Sequence, residues 1–156
     1  AGVVSSAGNV SASVAESGGS GFWFGGNLLV FSGTDGIGAS GQGTASANGQ
    51  ITFSTTQDNS AVVAIVADFN AADLSSRTWQ TVNGTTPSSG NGHEVTYFRD
   101  ASHYTVGIAK WPDCGTAGSK TFGLSGASGL NATVMVIEVL GDATPPVLPA
   151  IAWITA

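Results

Sequence analysis

The chain has 156 residues, enough for one domain that buries a sizeable core without disulfides or metals, and its single cysteine, Cys114, excludes an internal disulfide. Charged residues make up only 9% of the chain while 23 residues are glycine, the balance of an all-β chain with many turns rather than a helical one. The formal charge is −6 and the four basic residues, Arg77, Arg99, Lys110 and Lys120, are scattered, which sets nucleic acid and anionic membranes aside as main partners, since phosphate binding draws on clustered cations.

Residues 1–20 are small and mostly polar, with Val3, Val4, Val10 and Val14 able to form one thin strand. The other reading is an arm that gains order on a neighbour. Phe22, Trp23 and Phe24 follow abruptly, then Gly25-Gly26 and NLLVF, so 22–31 reads as a bent strand or hairpin. Its aromatic cluster either anchors the terminus to the core or faces a partner. Residues 32–49 are dense in Gly and Ser and read as a long loop, a type that is usually functional or mobile. Gly36, Gly38 and Gly41 fall in the GxGxxG spacing of dinucleotide sites, but QGTASANG follows where such a site needs a helix start, so no cofactor is expected.

Residues 50–56 (QITFSTT) alternate as a half-buried strand should. AVVAIVADF, 61–69, is a fully apolar strand, and NAADLSS, 70–76, a connection with room for one helical turn. RTWQTV, 77–82, is a strand that Asn83-Gly84 closes with a turn signature. HEVTYFRD (93–100) and HYTVGIAKW (103–111) are successive alternating strands joined by Asp100-Ala101-Ser102. Lys120 to Leu124 forms a short strand. LNATVMVIEVL, 130–140, is the longest nearly unbroken apolar run and is rich in Val, Ile and Thr, which pack well on a pleated surface. Both of its faces are apolar, as in a central strand covered on both sides. Glu138 is the exception; a buried carboxylate needs a partner or a proton, so it is expected near the strand end, reaching water or Arg99.

Strands recurring every 10 to 20 residues between Gly-rich joins give the rhythm of an antiparallel β-sandwich with extended N- and C-terminal arms. The expected organisation is an arm or edge strand over 1–20, the sandwich over 21–142, and a Pro-rich apolar tail over 143–156 that holds three of the five prolines. Pro145-Pro146 stiffens that tail, which either folds back as an edge strand or docks on another subunit. The candidate partner-binding residues are Phe22, Trp23 and Phe24 at one end and Pro145, Pro146, Val147, Leu148, Ile151 and Trp153 at the other.

Residues that could carry chemistry are few. His93 and His103 with Glu94 and Asp100 allow a metal reading, against a plain reading as surface histidines; strand neighbours such as His93 and Glu94 point to opposite faces. Asp68, Asn70 and Asp73 allow a calcium loop, or simply Asx turns. Cys114 reads as a buried, unactivated thiol. No GxSxG elbow occurs, and Glu16, Glu94 and Glu138 have no surroundings typical of a glycosidase pair, so no catalytic set, metal or cofactor is expected.

From about Ala61 to Gly141 the succession AVVAIVADF, TWQTVNGTT, HEVTYFRD, YTVGIAKW, AGSKTFGLSG and LNATVMVIEVLG resembles jelly-roll virion proteins of tailed phages, especially those infecting actinobacteria. The resemblance covers roughly half the chain. It implies a non-enzymatic structural role, as a minor tail protein or capsid decoration protein, with other virion subunits as partners. It also implies a homo-oligomer within a larger assembly, built from a cytoplasmic pool. No stretch reads as a secretory leader or a membrane span, in keeping with that route. Two other roles stay open. One is a carbohydrate-binding or adhesin module that stacks a host-surface glycan on Trp23, Trp79, Trp111 and Trp153. The other is a filament subunit that donates a strand to its neighbour.

Overall fold

The computed structural model describes residues 29–31 and 33–141. Eight strands run in the order β1 (Thr34–Ser46), β2 (Gln50–Thr55), β3 (Ala61–Asp68), β4 (Thr78–Trp79), β5 (Glu94–Asp100), β6 (Tyr104–Trp111), β7 (Gly118–Ser125) and β8 (Ala132–Gly141). Apart from a 3-10 turn at Ser89–Asn91, no helix occurs among the described residues. The strands form two antiparallel sheets packed as a sandwich, one of five strands in the order β1-β8-β3-β6-β5 and one of three in the order β2-β7-β4. The expected all-β sandwich is therefore the fold. Three of its pairings are nested, β1 with β8, β2 with β7 and β3 with β6.

The two apolar runs lie side by side: β3 pairs with β8 along its whole length, from Ala61 opposite Val139 to Asp68 opposite Ala132. Alternation then decides what each residue meets. Val62, Ala64 and Val66 of β3, and Ala132, Val134 and Val136 of β8, point inward and are fully buried. The three-stranded sheet answers with Phe53, Phe122 and Leu124. Four rings thread the core edge to face: Phe53 to Phe122 at 6.1 Å, Phe122 to Trp111 at 5.1 Å and Trp111 to Trp79 at 6.1 Å. Both indoles also satisfy their N–H groups, Trp111 donating to the Gln80 carbonyl at 3.0 Å and Trp79 to Glu94 at 2.7 Å.

Two expectations change. Residues 34–46 are not a loop but the longest strand, thirteen residues laid along β8 with irregularities in register. Small size is what this strand needs: a Cβ on Gly38 would lie 2.4 Å from a Glu138 oxygen, and one on Gly41 would lie 3.2 Å from the Phe53 ring. The segment 77–82 is less regular than expected, only Thr78–Trp79 being strand, while Asn83-Gly84 does make the tight turn, Val82 and Thr85 exchanging backbone hydrogen bonds. Both turn residues have positive φ, 45° and 74°, as the Asn-Gly signature requires.

Phe122 sits where the ring chain is most crowded. Truncation by Phe122→Ala is expected to cost about 3–5 kcal/mol in urea unfolding, as for other buried rings. A cost below about 1 kcal/mol would mean that the two sheets do not close on this ring.

Candidate interaction surface

The five-stranded sheet has a second face. Residues that alternate with the core set point outward: Ala61, Val63, Ile65 and Ala67 on β3, Thr133, Met135, Ile137 and Val139 on β8, and Val106, Ile108 and Lys110 on β6. Cross-strand rows line these up. Met135, Ile65, Ile108 and Thr96 form one row across four strands, and Ala67, Val106 and Phe98 form the next. The face is apolar and unevenly covered: Ile108 and Val139 are buried, each 5% exposed, while other members stay open. Met135 is 38% exposed, Ile37 38% and Phe98 54%. The sequence reading of 130–140 as a strand covered on both sides holds for one side only, because the second sheet has three strands and packs on the inner face. Phe69, 61% exposed, lies just past the β3 end, and Phe98 packs against Tyr104 with ring centres 5.8 Å apart.

Glu138 is placed differently from expectation. It is fully buried, facing inward from β8, and forms no ion pair with a basic side chain among the described residues. Arg99 is elsewhere, bonded to the Ala71 carbonyl and 3.5 Å from Asp73. Four donors converge on the carboxylate instead: the N–H groups of Ala39 at 3.0 Å, Thr56 at 2.8 Å and Gln57 at 3.1 Å, and the Thr56 hydroxyl at 2.7 Å. Burial alone would push its pKa up. The bonds from Ala39 and Thr56 outweigh it and hold the group below the ordinary glutamate value of 4.5. A buried anion satisfied by backbone donors ties β1 and the turn after β2 to the middle of the sandwich.

A second charged cluster closes the other side of the core. Arg77 grips Glu94 with two hydrogen bonds, one through its Nε at 2.9 Å, and its guanidinium lies 3.7 Å from the centre of the Tyr97 ring. A cleft of about 250 Å³ opens beside this pair, lined in part by Thr86, Ser88 and Ser89. Its charged groups are committed to each other and to Trp79.

The other candidates resolve as structure. Asp68 is buried and accepts from the N–H groups of Ala72 and Asn131, at 2.9 and 2.8 Å, while Asp73 accepts from Ser75, so these are turn anchors. His103 pairs with Asp100 at 2.9 Å and Glu94 is spent on Arg77, so the two histidines and two carboxylates do not meet in one site. No group of three or more His, Cys, Asp or Glu among the described residues is placed to hold a metal ion. Cys114 is buried, and desolvation pushes its thiol up to about 12, far from an activated nucleophile. Trp79 and Trp111 are core residues, 2% and 0% exposed, and offer no stacking platform. The residues expected to bind partners, Phe22, Trp23, Phe24, Pro145, Pro146, Val147, Leu148, Ile151 and Trp153, lie outside the described residues, as do the expected arm over 1–20 and tail over 143–156. No helix of the described residues is long and apolar enough to cross a membrane. No family model, curated protein or solved structure matches the chain.

The Glu138 cage predicts a pH signature. A carboxylate whose folded pKa is lowered contributes stability that is present above its ordinary value and is lost as pH falls through the folded value. Glu138→Gln should therefore cost about 2–3 kcal/mol at pH 7, as for lost bonds to a charged group, and the gap to the parent chain should shrink on acidification below about pH 4.5. A gap that does not change with pH would mean that the buried acid is not ionised.

Proposed function

We propose that the chain is a non-enzymatic structural subunit of a tailed-phage virion, a minor tail or capsid decoration protein that works by holding neighbouring subunits. The observation that carries this reading is the half-exposed apolar face of the five-stranded sheet, which runs over β8, β3, β6 and β5. Contiguous apolar surface of this kind marks an interaction site in a soluble protein. Supporting it is the nesting of first strand with last, second with seventh and third with sixth. A long antiparallel hairpin rolled up on itself would yield that pattern, the pairing scheme a jelly-roll reading calls for. Here β5 departs from the scheme by pairing with β6 rather than β4. The acidic balance of the chain keeps a free subunit soluble before assembly. Other virion subunits, including further copies of the chain, are the partners this reading names.

A second reading, a glycan-binding module, keeps one specific support. Phe98, packed on the half-buried Tyr104, and Phe69 are aromatic rings open to solvent. Apolar neighbours such as Val106 and Met135 make the same surface better suited to protein than to sugar. Glycan-array binding that is lost in Phe98→Ala with the fold intact would reverse that preference.

Antibody labelling of purified phage particles from cultures that encode the chain tests the leading reading. Label is expected at regular positions on head or tail, and its location assigns the subunit to one or the other. Particles that contain none of the chain would overturn the proposal.

A further inference from the structure

The outer face ends at a corner where the chain leaves the sheet. Gly141 closes β8 opposite Thr34, and beside it Val139 pairs with Ala61 on one flank and with Ile37 on the other. The residues that continue from this corner are DATPPVLPAIAWITA, which carry no charge after Asp142 and hold Val147, Leu148, Ile151, Trp153 and Ile154. The geometry points to a specific occupant for the face: the segment Val147–Ile154 of a second copy of the chain seats on β8, β3, β6 and β5. This deepens the proposed assembly role and rests on its reading of the outer face as a subunit contact.

Chemistry, reach and direction all favour that occupant. An uncharged apolar segment can cover Met135, Ile65, Ile137 and Val106 without burying an unpaired ion, which would cost several kcal/mol. Eight extended residues span about 26 Å, whereas the three gaps between four adjacent strands add up to about 14 Å, so the segment crosses the face with residues to spare. Direction separates a second copy from the segment's own sheet. Proline fixes its own φ and keeps the preceding residue out of the helical region, so Thr144, Pro145 and Pro146 favour an extended stem. A stem of this composition leaves Asp142 and Ala143 for a reversal onto the same sheet, and so suits delivery of the apolar residues to the equivalent face of a neighbour. Each copy both gives a segment and receives one, an arrangement that closes as a reciprocal pair or propagates around a ring.

The test uses the full chain with a benzophenone side chain in place of Ile151, unlabelled and nitrogen-15-labelled copies being mixed in equal amounts, irradiated and read by mass spectrometry. Crosslinks are expected to β3 and β8 outer-face residues such as Ile65 and Met135, with about half of the crosslinked pairs joining a light to a heavy chain. That fraction is the statistical value for exchange between copies in a closed assembly with random partners. Met135→Lys, at an exposed position that tolerates charge, should lower the crosslink yield at least tenfold and shift sedimentation toward monomer while the far-ultraviolet spectrum stays unchanged. Crosslinks confined to one isotope would show the segment folded onto its own sheet. Crosslinks to other surfaces, or a yield unaffected by Met135→Lys, would remove the face as its seat. Each of these results overturns the inference and leaves particle labelling as it was. Absence from particles with light-to-heavy crosslinks intact would remove the virion role and keep the docking.

Discussion

A carboxylate without access to water sits where three parts of the chain meet. Glu138 projects from β8 into the sandwich, and backbone N–H groups from β1 and from the turn after β2 close on it. A buried negative charge left without donors would cost several kcal/mol, so the fold is specified there by polar satisfaction as much as by apolar burial. The constraint also explains why β1 has the sequence it has. A strand passing this close to Glu138 and Phe53 has no room for a side chain at Gly38, and one at Gly41 would require the Phe53 ring to give by a few tenths of an ångström. Its outward positions carry Ile37 and then Ser40 and Gln42, paired across to Val139, Ile137 and Met135, so the edge of the outer face turns polar along β1 beyond Ile37.

The two faces of the five-stranded sheet have different fates. The inner face is closed by Phe53, Phe122 and Leu124 and by the chain of rings that runs through Trp111 to Trp79. The outer face has the same kind of residues and no second sheet among the described residues. Small substitutions on it, such as Met135 to a charged residue, should be tolerated by the fold, because an exposed position gives up little burial. The physical asymmetry between a satisfied core and an unsatisfied face is what recommends this sandwich as a subunit under the proposed role.

Much of the fold was legible in the sequence. Period-two alternation and β-branched runs located β2, β3, β5, β6, β7 and β8 to within a few residues, and Asn83-Gly84 announced its turn. The Gly-rich run 34–46 was not legible, because strand preference is mostly side-chain packing and here the strand is selected for the lack of it. Glu138 was recognised as needing a partner. Its partners are backbone groups distant in sequence, and residue types do not reveal those. For the candidate surface, the two-sided apolar character of 61–69 and 130–140 was the available signal. The sequence does not say which side a second sheet will cover, so that signal read as double burial.

The account turns on whether the outer face is covered when subunits associate. The chain has one methionine, Met135, and it lies in the middle of that face, which makes its oxidation a unique reporter. Exposing the dilute isolated chain and the native assembly to the same dose of hydroxyl radicals, and measuring sulfoxide at Met135 by mass spectrometry, reads its cover directly. Strong protection in the assembly, with ready oxidation in the dilute chain, is the result the account predicts. Equal oxidation in both states would leave the face open to water and contradict it.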